Sequence, residues 1–161
     1  MRKAFAALGV VTASIALAMT FSAGAAFAKG PKPPAIKSVK FKGTSAEPLV
    51  VVKGVGLGSL PVEDAEADPN CFSEEPSGLG NDYGTAANFT EKTDGWEAGA
   101  GPGDCIGLIF KTWTETEVVF TFGSTYHDSA EYAPLRKGDE YTVSLRGLTM
   151  SGTIKIKEPK K

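Results

Sequence analysis

The sequence predicts an all-β sandwich of about six to seven strands, on three observations. Short runs alternate apolar and polar residues with period two, turn-forming residues separate these runs at short intervals, and no stretch beyond residue 28 carries the 3.6-residue period of an amphipathic helix. The densest apolar segment of that part is Cys105–Gly123, whose two β-rich runs flank the polar triplet Thr114, Glu115 and Thr116. That is a hairpin pattern. Leu108 and Phe110 in its first run, and Val118, Phe120 and Phe122 in its second, offer one apolar face each.

The chain opens on Arg2 and Lys3, runs through apolar residues 4 to 21 and reaches Ala26, Phe27 and Ala28 before Lys29. This predicts a cleaved secretory signal peptide over residues 1–28, with the alternative of an uncleaved membrane anchor opposed by the Ala, Gly, Ser and Thr that dilute the run. The remaining protein is expected to be secreted, without membrane anchoring. Of 161 residues, 133 then remain, enough for one domain. They carry 15 bases and 19 acids, a net charge of −4 that argues against a nucleic-acid partner.

In chain order, residues 29–35 (KGPKPPA) hold three prolines and read as a tether. A single domain follows over residues 36–158. Ile36–Lys42 sets Val39 and Phe41 on one face with lysines between them, the mark of an edge strand guarded by charge. Leu49–Val55 is a second strand that ends on Gly54, Gly56 and Gly58. This spacing lacks the helix that a phosphate-binding loop requires, so it reads as a bulge or a close backbone approach. After the hairpin, Ser124–Asp139 is a polar connection containing the lone His127, which reads as a surface residue. Glu140–Arg146 alternates Tyr141, Val143 and Leu145, and Met150–Lys157 closes the domain with Ile154 and Ile156 inward.

The run from Ile36 to Ser59 resembles the opening strands of the immunoglobulin-like IPT or TIG domains through Val50, Val52, Gly54, Gly56, Leu57 and Gly58. The segment Trp113, Thr114, Glu115, Thr116 and Val118 resembles a later strand of the same family. The resemblance covers about half of the chain beyond the leader. It implies an immunoglobulin-like β-sandwich used for binding or spacing, and it implies no chemistry. Residues 59–104 depart from it, being much longer than the family's usual connection.

That stretch reads as one long acidic insert. It holds eleven acids against the single base Lys92, a net of −10, which leaves about +6 for the rest. Asn88–Glu91 and Trp96–Ala98 could be short strands within it. An exported chain with an even cysteine count predicts a Cys71–Cys105 disulfide clipping the insert. Its loop of about 34 residues corresponds to roughly 3 to 4 kcal/mol.

Carboxylates are abundant, but nothing in the sequence pairs two of them across a cleft as glycan hydrolysis requires, and no nucleophile elbow accompanies His127. No catalytic residue is assigned and no cofactor is required. Calcium is the one cation the pattern could hold, because Asp64, Glu66 and Asp68 alternate hard oxygen donors. Trp96 and Tyr83 are the aromatic candidates for ligand contact, Trp96 being equally able to plug the insert. The expectation is a secreted, non-enzymatic binding, adhesion or structural module with an extracellular protein or glycan as partner. A carbohydrate-binding module and a hydrolase using insert carboxylates are the alternatives.

Overall fold

The computed structural model describes residues 30, 32–62, 80–100, 106–128 and 134–157. The expected leader, Cys71 and Cys105, and the calcium candidates Asp64, Glu66 and Asp68 lie outside these residues.

Two four-stranded antiparallel sheets face each other, with almost no helix among the described residues. The first has the order β1-β2-β6-β5, built from β1 (Ala35–Gly43), β2 (Pro48–Val55), β6 (Glu117–Phe122) and β5 (Leu108–Trp113). The second has the order β4-β3-β7-β8, built from β4 (Trp96–Ala98), β3 (Ala87–Glu91), β7 (Glu140–Leu145) and β8 (Leu148–Thr153). The period-two faces meet between them. Val50, Val52, Val118, Phe120 and Phe122 from the first sheet pack in one cluster with Phe89, Trp96, Val143 and Leu145 from the second. Phe89 is the hub: its ring lies within 6.4 Å of those of Phe41, Trp96, Phe120, Phe122 and Tyr141. Aromatic pairs of this kind add about 0.5 to 1.5 kcal/mol each beyond the area they bury.

Both edge strands of the first sheet carry a bulge, and both bulges fall on a lysine. The register slips between Ile36 and Ser38 in β1 and between Phe110 and Thr112 in β5, leaving Lys37 and Lys111 unpaired. An extra residue reverses the parity of the side chains beyond it. Trp113 therefore returns to the inner face opposite Val118, where its Nε1–H donates to the Gly58 carbonyl at 2.9 Å. In β1 the slip sets Ile36, Val39 and Phe41 on one face opposite Gly54, Val52 and Val50. At Lys37 and Lys111 the bulge interrupts the main-chain row that another strand would need.

The described residues form eight strands rather than the expected six to seven, because both short runs of residues 59–104 pair into the second sheet. The stretch 59–104 is not simply a long insert, because Ala87–Glu91 pairs on both sides, with β4 and with β7, and is an interior strand of the second sheet. Its acidic composition hid this, since the inner face reads Ala87, Phe89, Glu91 and ends on a carboxylate. Glu91 is fully buried there because its two oxygens accept from the amides of Thr93 (2.8 Å) and Asp94 (2.5 Å) in the turn that follows.

The last strand, expected over Met150–Lys157, runs instead from Leu148 to Thr153. Arg146 (φ 50°) and Gly147 (φ 80°) form the two-residue turn that fixes Leu145 against Leu148, and β7 has no residue left to pair beyond Glu140 and Thr153. Ile154 and Ile156 stay buried, as expected, while the chain leaves the sheet.

The connection from Phe122 to Glu140 is more than a polar loop. A one-turn helix, Thr125–Asp128, carries Tyr126 into the core, and Leu135 is fully buried as well. Gly56, at φ 61°, lets the chain after β2 pass the ring of Pro34, which a Cβ would approach to 3.1 Å. The close approach read from the alternate glycines is therefore real, and the tether gives way to strand at Ala35.

Candidate binding cleft

An open cleft of about 530 Å³ lies on one side of the sandwich, lined by Val39, Lys40, Phe41, Tyr141, Thr153 and Lys155. It sits between the edge of the first sheet, β1, and the end of the second, where the chain leaves β8. Among the described residues, the two segments are joined by a parallel bridge, Thr44 to Lys157. All six lining residues precede that bridge, so the cleft lies where the segments part.

The floor is apolar. Phe41 and Tyr141 meet edge to face, ring centroids 5.0 Å apart at 74°, and Tyr141 stacks on Phe89 with centroids 6.1 Å apart and the planes within 4°. Gly152 makes this packing fit, because a Cβ there would lie 2.9 Å from the Tyr141 hydroxyl. Burial of Tyr141 pushes its phenol up from the ordinary value, so the ring faces the cleft as a neutral hydroxyl-bearing surface at physiological pH.

The rims are cationic. In β1, Lys40 and Lys42 are exposed and alternate with the half-buried Val39 and Phe41; in the tail, Lys155 and Lys157 are exposed and alternate with the buried Ile154 and Ile156. Counting back two residues from the parallel bridge sets Lys42 level with Lys155. Among the described residues, Lys53 pairs with Glu117 at 3.2 Å, in β2 and β6 rather than on these rims. Two lining lysines, Lys40 and Lys155, beside an aromatic floor suit a ligand carrying negative charge and apolar surface together.

Residues singled out from sequence lie elsewhere. Trp96 is 4% exposed, wedged among Phe89, Phe122 and Tyr126 with centroids within 5.7 Å, and its Nε1–H meets no hydrogen-bond acceptor among the described residues. Tyr83 is 5% exposed and meets Phe110 edge to face at 5.0 Å. They share one core cluster, and neither lines the cleft.

Sequence reading assigned the β1 lysines only to edge protection and did not connect them to the tail. The available signal was a shared pattern: VKFK and IKIK each place lysines at alternate positions of an extended run.

Compared with family models, with curated proteins and with solved structures, the chain finds no match.

Proposed function

We propose that this protein is an exported, non-enzymatic binding module with an immunoglobulin-like sandwich, and that it holds an anionic partner in the cleft between β1 and the C-terminal tail. The observation that carries the reading is the cleft itself, lined by Lys40 and Lys155 together with Phe41 and Tyr141. The strand order supports the fold type. Lettered along the chain as A, B, C, C′, D, E, F and G, the eight strands give the sheets ABED and C′CFG, the constant-type immunoglobulin arrangement with one added strand. Export rests on the apolar leader, and the family resemblance through Val50–Gly58 and Trp113–Val118 agrees with a binding or spacing role.

The test is titration of the purified protein with poly-glutamate, with polygalacturonate and with a neutral glucan. One or both polyanions should bind, more weakly as salt rises. The Lys40→Glu, Lys155→Glu double variant should bind about tenfold or more weakly while unfolding at the same temperature. Equal affinity of variant and wild type, or a preference for the neutral glucan, would sink the reading.

A further inference from the structure

We infer that the cleft takes an extended polypeptide segment of a partner in which acidic side chains alternate with apolar ones, laid as an added strand along β1. The inference rests on the binding-module reading above and narrows it to one ligand class.

The first observation is the edge. β1 pairs with β2 on one side, and among the described residues the β-pairing on its other side is the bridge at Thr44. An edge strand presents a row of main-chain donors and acceptors that another strand can satisfy. The bulge at Lys37 spoils that row at its start, so the usable stretch begins at Ser38 and ends at the bridge. That is where the cleft lies.

The second observation is parity. Val39 and Phe41 turn toward the core and Lys40 and Lys42 turn outward. A strand added beside them obeys the same alternation, so one set of its side chains meets the Val39, Phe41 and Tyr141 surface and the other set meets the lysines. The inner set must be apolar. The outer set lies between Lys40 on one rim and Lys155 on the other, and carboxylates satisfy it.

The third is spacing. Residues two apart in an extended chain are separated by about 6.6 Å, so lysines at alternate positions repeat at the interval of alternate side chains on a bound strand. Cross-strand opposite-charge pairs of this kind contribute roughly 0.2 to 1 kcal/mol each. A polysaccharide anion could meet the ammonium groups but would leave the main-chain row of β1 unused, which favours the peptide.

The experiment compares, by fluorescence polarisation against the purified protein, a short labelled peptide alternating Glu and Val, a peptide of the same composition with its Glu and Val in two blocks, poly-glutamate and polygalacturonate. The alternating peptide should bind at least tenfold more tightly than the block peptide. N-methylation of its alternate amides should abolish binding in one of the two phases. Lys40→Glu with Lys155→Glu should weaken it about tenfold. Equal binding of the alternating and block peptides, or insensitivity to N-methylation in both phases, would overturn strand addition while leaving the anion-binding module intact. Tighter binding of polygalacturonate would do the same. Failure of every anionic probe would overturn both readings.

Discussion

The hydroxyl of Tyr126 donates a 2.6 Å hydrogen bond to the carbonyl of Ser45, a residue 81 positions earlier in the chain. The same oxygen accepts from the Leu135 amide at 2.8 Å. One phenol thus ties the long connection before β7 to the turn between β1 and β2, with its ring stacked on Phe122 at 5.0 Å.

Removing that oxygen orphans two buried backbone groups at once. Tyr126→Phe should cost about 2 kcal/mol, since an unmet buried donor or acceptor costs roughly 1 to 3 kcal/mol. Thermal unfolding reads this as a midpoint several degrees lower. Burial also pushes the phenol from its ordinary value of 10.0 up to about 12, so above pH 10 the unfolded chain gives up its proton before the folded one does. The contribution is complete below pH 10 and is lost as pH rises toward about 12. The difference in stability between wild type and Tyr126→Phe should narrow across that window, and a pH-independent difference would contradict the assignment.

Glu91 closes the β3–β4 turn from inside the core. Glu91→Ala should cost about 2 to 4 kcal/mol, combining a cavity with two amides stripped of their acceptor. Glu91→Gln keeps one acceptor oxygen and should cost about half as much. Asp139 supplies an independent readout: burial first, then the charges of Glu91 and Asp94, hold its carboxyl above the ordinary 3.8. A carbon-detected NMR titration of Glu91→Gln should show the Asp139 carboxyl titrating at lower pH than in wild type; an unchanged titration would separate the two groups.

The bulge at Lys111 makes an opposite kind of prediction, that a deletion changes little inside. Phe110 pairs with Phe120 on one side of the bulge, and Thr112 and Trp113 pair with Val119 and Val118 on the other. Deleting Lys111 joins these registers into a regular strand and leaves Trp113 inward. Tryptophan emission should therefore stay at the wild-type wavelength. The flattened edge should self-associate more readily at high concentration, which light scattering measures. A red-shifted emission would show that the bulge does not set the register.

How much of this was legible in the sequence varies with the range of the forces involved. The β1 and β2 runs, the hairpin of β5 and β6, the alternation of Tyr141, Val143 and Leu145, and the two short strands near Phe89 and Trp96 follow from side-chain period, a property of a few consecutive residues. Local alternation was enough for these. It failed at the bulges, because Lys37 and Lys111 look like ordinary outward lysines until a partner strand shows that each is one residue too many.

By itself the sequence determined the all-β class, the positions of most strands and the charge contrast between residues 59–104 and the rest, all of which are sums or periods over neighbouring residues. Only the tertiary structure decided that Ala87–Glu91 is an interior strand rather than part of an insert, and that Trp96 and Tyr83 pack in the core. It alone brought Lys40 and Phe41 against Tyr141, Thr153 and Lys155. Those placements depend on which strands pair across tens of residues of chain, as Ala87 does with Leu145 and Val50 with Phe120, and the free energy that selects the pairing comes from burying whole faces together, which no short window of sequence contains.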